Sequence, residues 1–265
     1  MLSCHRSGTQ FSNSYRLLII LALVTILVPQ VHAATGTQIL SSSPYMDTLG
    51  YYHVVGEVLN QGSQAVNYVQ ITATFYNQSN TVVGTAYTFT TLGTIPPGRL
   101  SPFDLFLYDV AQSVKVHHYT LNIQSSTTTA LQQKLVFLSN SSYISHGYFY
   151  IVGEIKNTAT QSANYAEVIA TYYNSTGGVI ASGYTFTNPT TVGPNSSAPF
   201  ELTLDQTRTA LVDHYSLTAG ANEYAVVSEY SNLVGLAVTL IPLTIIIFLV
   251  HKKISVSKQS QILET

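Results

Sequence analysis

Apolar and polar positions alternate with period two through most of the central chain. From Tyr51, the alternation sets Tyr52, Val54, Gly56 and Val58 on one side and Tyr51, His53, Val55 and Glu57 on the other. The next run, Tyr68 to Tyr76, sets Val69, Ile71, Ala73 and Phe75 against Gln70, Thr72 and Thr74. A third places Phe103, Leu105 and Leu107 on one face. Period two is the signature of strands with one face buried. Turn chemistry separates the runs at Asn60-Gln61-Gly62-Ser63, at Asn77 to Asn80 and at the rigid Thr94-Ile95-Pro96-Pro97-Gly98. No helical period intervenes.

The pattern is written twice. Gly50 to Asn60 reads GYYHVVGEVLN and Gly147 to Asn157 reads GYFYIVGEIKN, an offset of 97 residues that holds without a gap to Leu105 and Leu202. Replacement of Tyr52 by Phe149 marks that face as the buried one. The inward sets recur as Phe149, Ile151, Gly153 and Ile155, then Ala166, Val168, Ala170 and Tyr172, then Phe200, Leu202 and Leu204. Glu57 and Glu154 fall on the opposite face and are expected to be solvated, as are Asp104 and Glu201. His118-Tyr119 and His214-Tyr215 correspond after a one-residue slip. Short strands every ten or so residues, over about 90 residues per copy, predict an all-β fold of two tandem β-sandwiches, with a small barrel as the alternative. The first spans 36–124 and the second 131–220. The polar run Gln124 to Ala130 reads as a short linker.

Two apolar segments flank the copies. Leu17 to Val28 follows Arg6 and Arg16 and precedes Val31-His32-Ala33, the layout of a secretory signal peptide over 1–33; an uncleaved anchor is the alternative. Leu233 to Val250 is 18 residues without a charge, long enough for a transmembrane helix. His251, Lys252, Lys253 and Lys258 follow it, a basic flank that predicts a cytoplasmic tail over 251–265. The expected localisation is the cell membrane, crossed once, with both copies outside.

The VVGEVLN turn, the TFYN strand, the PPG connector and Phe103-Asp104-Leu105-Phe106-Leu107-Tyr108-Asp109 resemble the FxLYD domain family. The resemblance covers Tyr51 to Tyr108 well and the second copy less fully, because Phe200-Glu201-Leu202-Thr203-Leu204-Asp205 departs from the signature. It implies an immunoglobulin-like sandwich of prokaryotic surface proteins and an extracellular position. It supplies no catalytic residues.

Charged residues make up 8% of the chain, against ~25% for an average soluble protein. Between Asp47 and Glu229 the only bases are Arg99, Lys115, Lys134, Lys156 and Arg208, so the central part is mildly acidic and nucleic acid is not an expected partner. The one cysteine, Cys4, lies in the leader, so stability must come from core burial rather than disulfides. No Gly-x-Ser-x-Gly or Gly-rich phosphate loop occurs, and no catalytic constellation, cofactor site or metal site is expected. His53, His117, His118, His146 and His214 read as surface histidines; a small-molecule or metal receptor using His117 and His118 is the alternative. Asn77, Asn140, Asn174 and Asn195 open glycosylation sequons in predicted loops. Among 19 tyrosines, Tyr51, Tyr68, Tyr76, Tyr148, Tyr150, Tyr165 and Tyr173 are expected on outward strand faces. Tyrosine favours binding surfaces, although packing between the copies and strand propensity explain these positions equally well. The expected work is non-enzymatic interaction with an envelope protein or polysaccharide.

Overall fold

The computed structural model describes residues 36–227 and the backbone of Tyr230–Ser231. The expected signal peptide, membrane helix and tail lie outside the described residues. Among those described, no helix is long and apolar enough to cross a membrane.

The fold is all-β and sandwich-like. The first copy comprises β1 (Thr37–Met46), β2 (Tyr52–Asn60), β3 (Ala65–Tyr76), β4 (Val82–Phe89), β5 (Thr94–Ile95), β6 (Leu100–Leu107), the one-turn α1 (Val110–Ser113) and β7 (His118–Thr128). Sheet β1-β2-β6 packs over a second sheet in which β3 pairs with β4, β5 and β7. The core between them joins Val54, Val58, Phe103 and Leu105 to Val69, Ile71, Ala73 and Phe75, the inward set that the alternation predicts.

The second copy repeats this as β8 (Gln132–Ser145), β9 (Tyr148–Asn157), β10 (Glu167–Tyr173), β11 (Val179–Phe186), β12 (Ser197–Leu204), α2 (Gln206–Thr209) and β13 (His214–Gly220). It adds β14 (Tyr224–Val226), which pairs in parallel with β8 and antiparallel with β13, and β15 (Tyr230–Ser231) on β13. Its core contains Ile151, Ile155, Val168, Ala170, Phe200 and Leu202.

Three devices recur at the same place in each copy. Gly56 and Gly153 sit where a phenylalanine crosses the strand: a Cβ would lie 2.5 Å from Phe103 Cζ in one and 2.6 Å from Phe200 Cζ in the other. Asn60 and Asn157 end β2 and β9 fully buried. Asn60 Nδ2 donates to the carbonyls of Gln64 and Ile95 at 2.8 and 2.9 Å, and Asn157 Nδ2 to those of Gln161 and Val192 at 2.7 and 3.0 Å. Asp109 and Asp205 cap the short helices, accepting from the Gln112 and Thr207 amides. The one-residue slip also holds, since Tyr76 pairs with His118 and Tyr173 with His214.

Two expectations change. The polar run 124–130 is mostly strand: β7 continues through Thr128, with Val66 paired to Thr127 and Ala65 to Thr128. Ser and Thr are polar, but β-branched Thr fits a strand edge well. The chain after Gly220 likewise returns to the sheet as β14, whose three residues are buried.

Candidate binding cleft between the two copies

The outward face of β2 is not wet. Val55 is fully buried and Glu57 is 4% exposed, because the edge strand β11 of the second copy lies across the β1-β2-β6 sheet. On β11, Val179 is fully buried and stands outside the second copy's own core, which takes Ile180 and Ala181. Ser43 Oγ donates to the Val179 carbonyl, giving a partner to a backbone group on a sheet edge. Tyr173 donates its hydroxyl to Glu57 Oε1 at 2.8 Å. Burial, then the neighbouring carboxylate, pushes the Tyr173 phenol well above its ordinary range. Arg208 lies over the Tyr45 ring at 4.2 Å, a cation–π contact.

His53 is held within this junction. Its Nδ1 bonds Asp104 Oδ1 at 2.9 Å, its Nε2 lies 3.5 Å from Asp47 Oδ2, and its ring stacks between Tyr45 and Phe106. Burial works against its charge, but the hydrogen bonds and charges of Asp104 and Asp47 outweigh it and the pKa rises. Asp104 also accepts from Tyr45 at 3.0 Å. Asp104, His53 and Glu57 therefore serve the junction rather than a solvated face.

Beside the contact the copies leave a cleft of about 770 Å³, continuous in its lining with a second of about 630 Å³. Tyr68 and Tyr165, 97 residues apart, meet the larger one from either copy. Both are exposed, at 72% and 64%, and both have positive φ, +48° and +52°. Positive φ in a bulky residue is an outlier that ordinarily goes to Gly or Asn. In the first copy it coincides with a register shift of β3 between Asn67 and Gln70, a bulge that turns the ring outward. Phe89 and Phe186, at the ends of β4 and β11, line both hollows. Each sits edge-on to the tyrosine two residues before it: Tyr87 at 6.3 Å and Tyr184 at 6.0 Å.

Glu167 lies between the two hollows and lines both. Burial raises its carboxyl to about 7. The opposite wall is apolar at Leu92, which occupies the space left by Gly220, where a Cβ would lie 2.8 Å from Leu92 Cδ1. At the far side Arg99 donates to the Val227 carbonyl at 2.7 Å.

Of the seven tyrosines singled out from the sequence, Tyr68 and Tyr165 come together in the cleft. Tyr51 packs with Phe106 and Tyr108, and Tyr76 stacks on His118. Tyr148 and Tyr150 form a separate patch with Tyr143. Tyr173 is drawn into the junction and stacks on His214. Phe89, Phe186, Tyr87, Tyr184 and Glu167 were not anticipated. The identical tetrapeptides Tyr87-Thr88-Phe89-Thr90 and Tyr184-Thr185-Phe186-Thr187 were their signal.

Asn77 and Asn174 lie in the β3–β4 and β10–β11 turns. Their Oδ1 atoms accept turn amides (Ser79 and Thr81; Thr176 and Gly178), and Nδ2, the glycan-bearing atom, takes no part in those bonds. Asn195 is an exposed turn residue. Asn140 is not in a loop: it lies within β8 opposite Gly153, and its Oδ1 accepts from Tyr215 at 2.9 Å. His117 and His118 meet edge to face at 5.9 Å, and His146 bonds Ser145. Among the described residues no group of three or more His, Cys, Asp or Glu is placed to hold a metal.

No known family pattern matches the chain, and no curated protein matches it in sequence. Several solved structures superpose loosely on the chain. Red sea bream transglutaminase aligns over 75% of this chain and 29% of its own at 11% identity, TM-score 0.24. A calcium-binding mutant of Bacteroides uniformis beta-glucuronidase 2 aligns over 72% and 28% at 10% identity, TM-score 0.29. Amycolatopsis orientalis exo-chitosanase aligns over 72% and 26% at 13% identity, TM-score 0.25. The chain spans less than a third of each of these proteins.

Proposed function

We propose that the chain is a non-enzymatic, membrane-anchored surface glycoprotein of two tandem immunoglobulin-like sandwiches of the FxLYD kind, and that it holds an envelope polysaccharide in the cleft between them. On this reading 233–250 is the membrane helix, 251–265 the cytoplasmic tail and 1–33 a removed leader. The observation that carries the binding reading is the pair Tyr68 and Tyr165. Each copy holds an exposed aromatic ring in a costly backbone conformation, and both rings face one cleft. Sugar rings offer flat C–H faces to aromatic rings and hydroxyls to a polar rim, here Asn67, Asn222 and Glu167. A protein partner needs roughly 800 Å² on each side. The narrow strip of rings suits an extended saccharide better.

The test uses the full chain in liposomes, co-sedimented with a panel of soluble neutral and acidic polysaccharides. Retention of one class, and a loss of about tenfold or more on Tyr68→Ala with Tyr165→Ala, is the expected result. Equal retention of wild type and variant, or capture of an envelope protein with no polysaccharide bound, would overturn the reading.

A further inference from the structure

The junction between the copies uses one half of what each copy offers. The first copy contributes the outer face of its β1-β2-β6 sheet, and the second contributes its β11 edge. Because the copies are homologous, the molecule also carries a second face, β8-β9-β12, and a second edge, β4. Both are open. Val82 on β4 is 53% exposed where its counterpart Val179 is fully buried, and Val152 on β9 is half-buried where its counterpart Val55 has no exposure.

The open pair keeps most of the chemistry of the closed one. Strand register fixes the correspondence. Ser43 opposes Val55 as Ser141 opposes Val152, and Tyr45 opposes His53 as Tyr143 opposes Tyr150. Tyr45 and His53 stack at 4.6 Å, and Tyr143 and Tyr150 stack at 4.9 Å. In the junction Tyr173 donates to Glu57; the corresponding pair is Tyr76 and Glu154. In the junction Ser43 reaches the Val179 carbonyl; the corresponding pair is Ser141 and the Val82 carbonyl. One contact is missing. Arg208, third after the cap Asp205, corresponds to Gln112, third after Asp109, so the corresponding position offers Tyr143 an amide instead of a cation.

We infer that the protein associates head to tail with further copies of itself, the β4 edge of one molecule seated on the β8-β9-β12 face of the next in the arrangement that β11 takes on β1-β2-β6. Tyr76 then donates to Glu154 of the neighbouring molecule, and Ser141 of that neighbour donates to the Val82 carbonyl. The contact joins different surfaces, so it leaves a free edge and a free face at the ends and builds an open row rather than a closed dimer. Without the Arg208 contact, and between separate molecules, it is weaker than the internal junction. The inference does not depend on what the cleft binds.

Full-length chain in liposomes at increasing density, with Cys4→Ser, Thr81→Cys and Ser142→Cys, exposed positions beside the contact that leave Tyr76 and Glu154 in place, is treated with a short bis-maleimide. The expected result is a ladder of dimers, trimers and longer species on a denaturing gel, absent from either single-cysteine chain beyond a dimer. Val82→Asp, at an exposed position that does not endanger the fold, should erase the ladder. No species above dimer, or a ladder that survives Val82→Asp, would overturn the inference.

Discussion

Glu167 illustrates how one side chain couples the cleft to stability. It takes the place of Gln70 in the first copy. Its carboxyl is raised from 4.5 to about 7. Near pH 4 the group is protonated in both folded and unfolded chains and costs nothing. As pH rises past 4.5 the unfolded chain ionises more readily, and the penalty reaches its full size above about 7. Glu167→Gln is therefore expected to raise Tm at pH 8 and to leave it unchanged at pH 4; thermal melts at the two pH values check this. An equal shift at both would mean that the side chain acts through packing. The position is unreadable from sequence because a glutamate in a strand register normally faces water. Glu167 meets first-copy residues such as Leu92 only where the second copy closes onto the first.

At the scale of elements, each copy depends on a buried asparagine that joins a strand end to two separate loops. Asn157→Ala would strand the carbonyls of Gln161 and Val192 and the amide of Ala159, all bonded to its side chain. A loss of about 2–4 kcal/mol is expected in urea unfolding of the second copy, more than a surface Asn→Ala produces. Strand faces of this kind were legible in the sequence. Alternation placed Val54, Ile71, Phe103 and their counterparts inward, because each reports burial within its own sheet pair. Val55 and Glu57 were not, because their burial comes from an element 120 residues further along the chain. Tyr68 and Tyr165 were legible as outward tyrosines, but the positive φ that aims them was not. At Tyr68 it coincides with a bulge, and at Tyr165 it falls just before β10 begins, neither of which side-chain pattern alone records. The repeated Tyr-Thr-Phe-Thr was in view, yet its rings gain meaning only when β4 and β11 are brought to one cleft.

At the scale of the whole molecule, the copies are alike in sequence and unlike in how their ends are tied. In the second copy β14 runs parallel to β8, Tyr224 opposite Gln132 and Val226 opposite Leu135, and the Val227 amide donates to the Leu135 carbonyl at 2.7 Å. In the first copy β1 pairs with β2 and β7 with β3, and no strand joins β1 to β7 among the described residues. A tether drawn from both ends of the protein would pull the start of β8 and the finish of β14 in opposite directions. The bonds of that parallel pair would be loaded together, in shear. In the first copy β1 and β7 are joined among the described residues by side chains, Thr37 with Ser125 and Ser42 with Tyr119, rather than by a strand ladder, and would hold less against the same load. Stretched in a force spectrometer, the chain should therefore yield in two unequal steps, with the first copy failing at the lower force. Shortening the chain before Tyr224 should bring the second step down towards the first. On the proposed anchoring through 233–250, the outer copy would give under drag while the copy nearer the anchor stays folded.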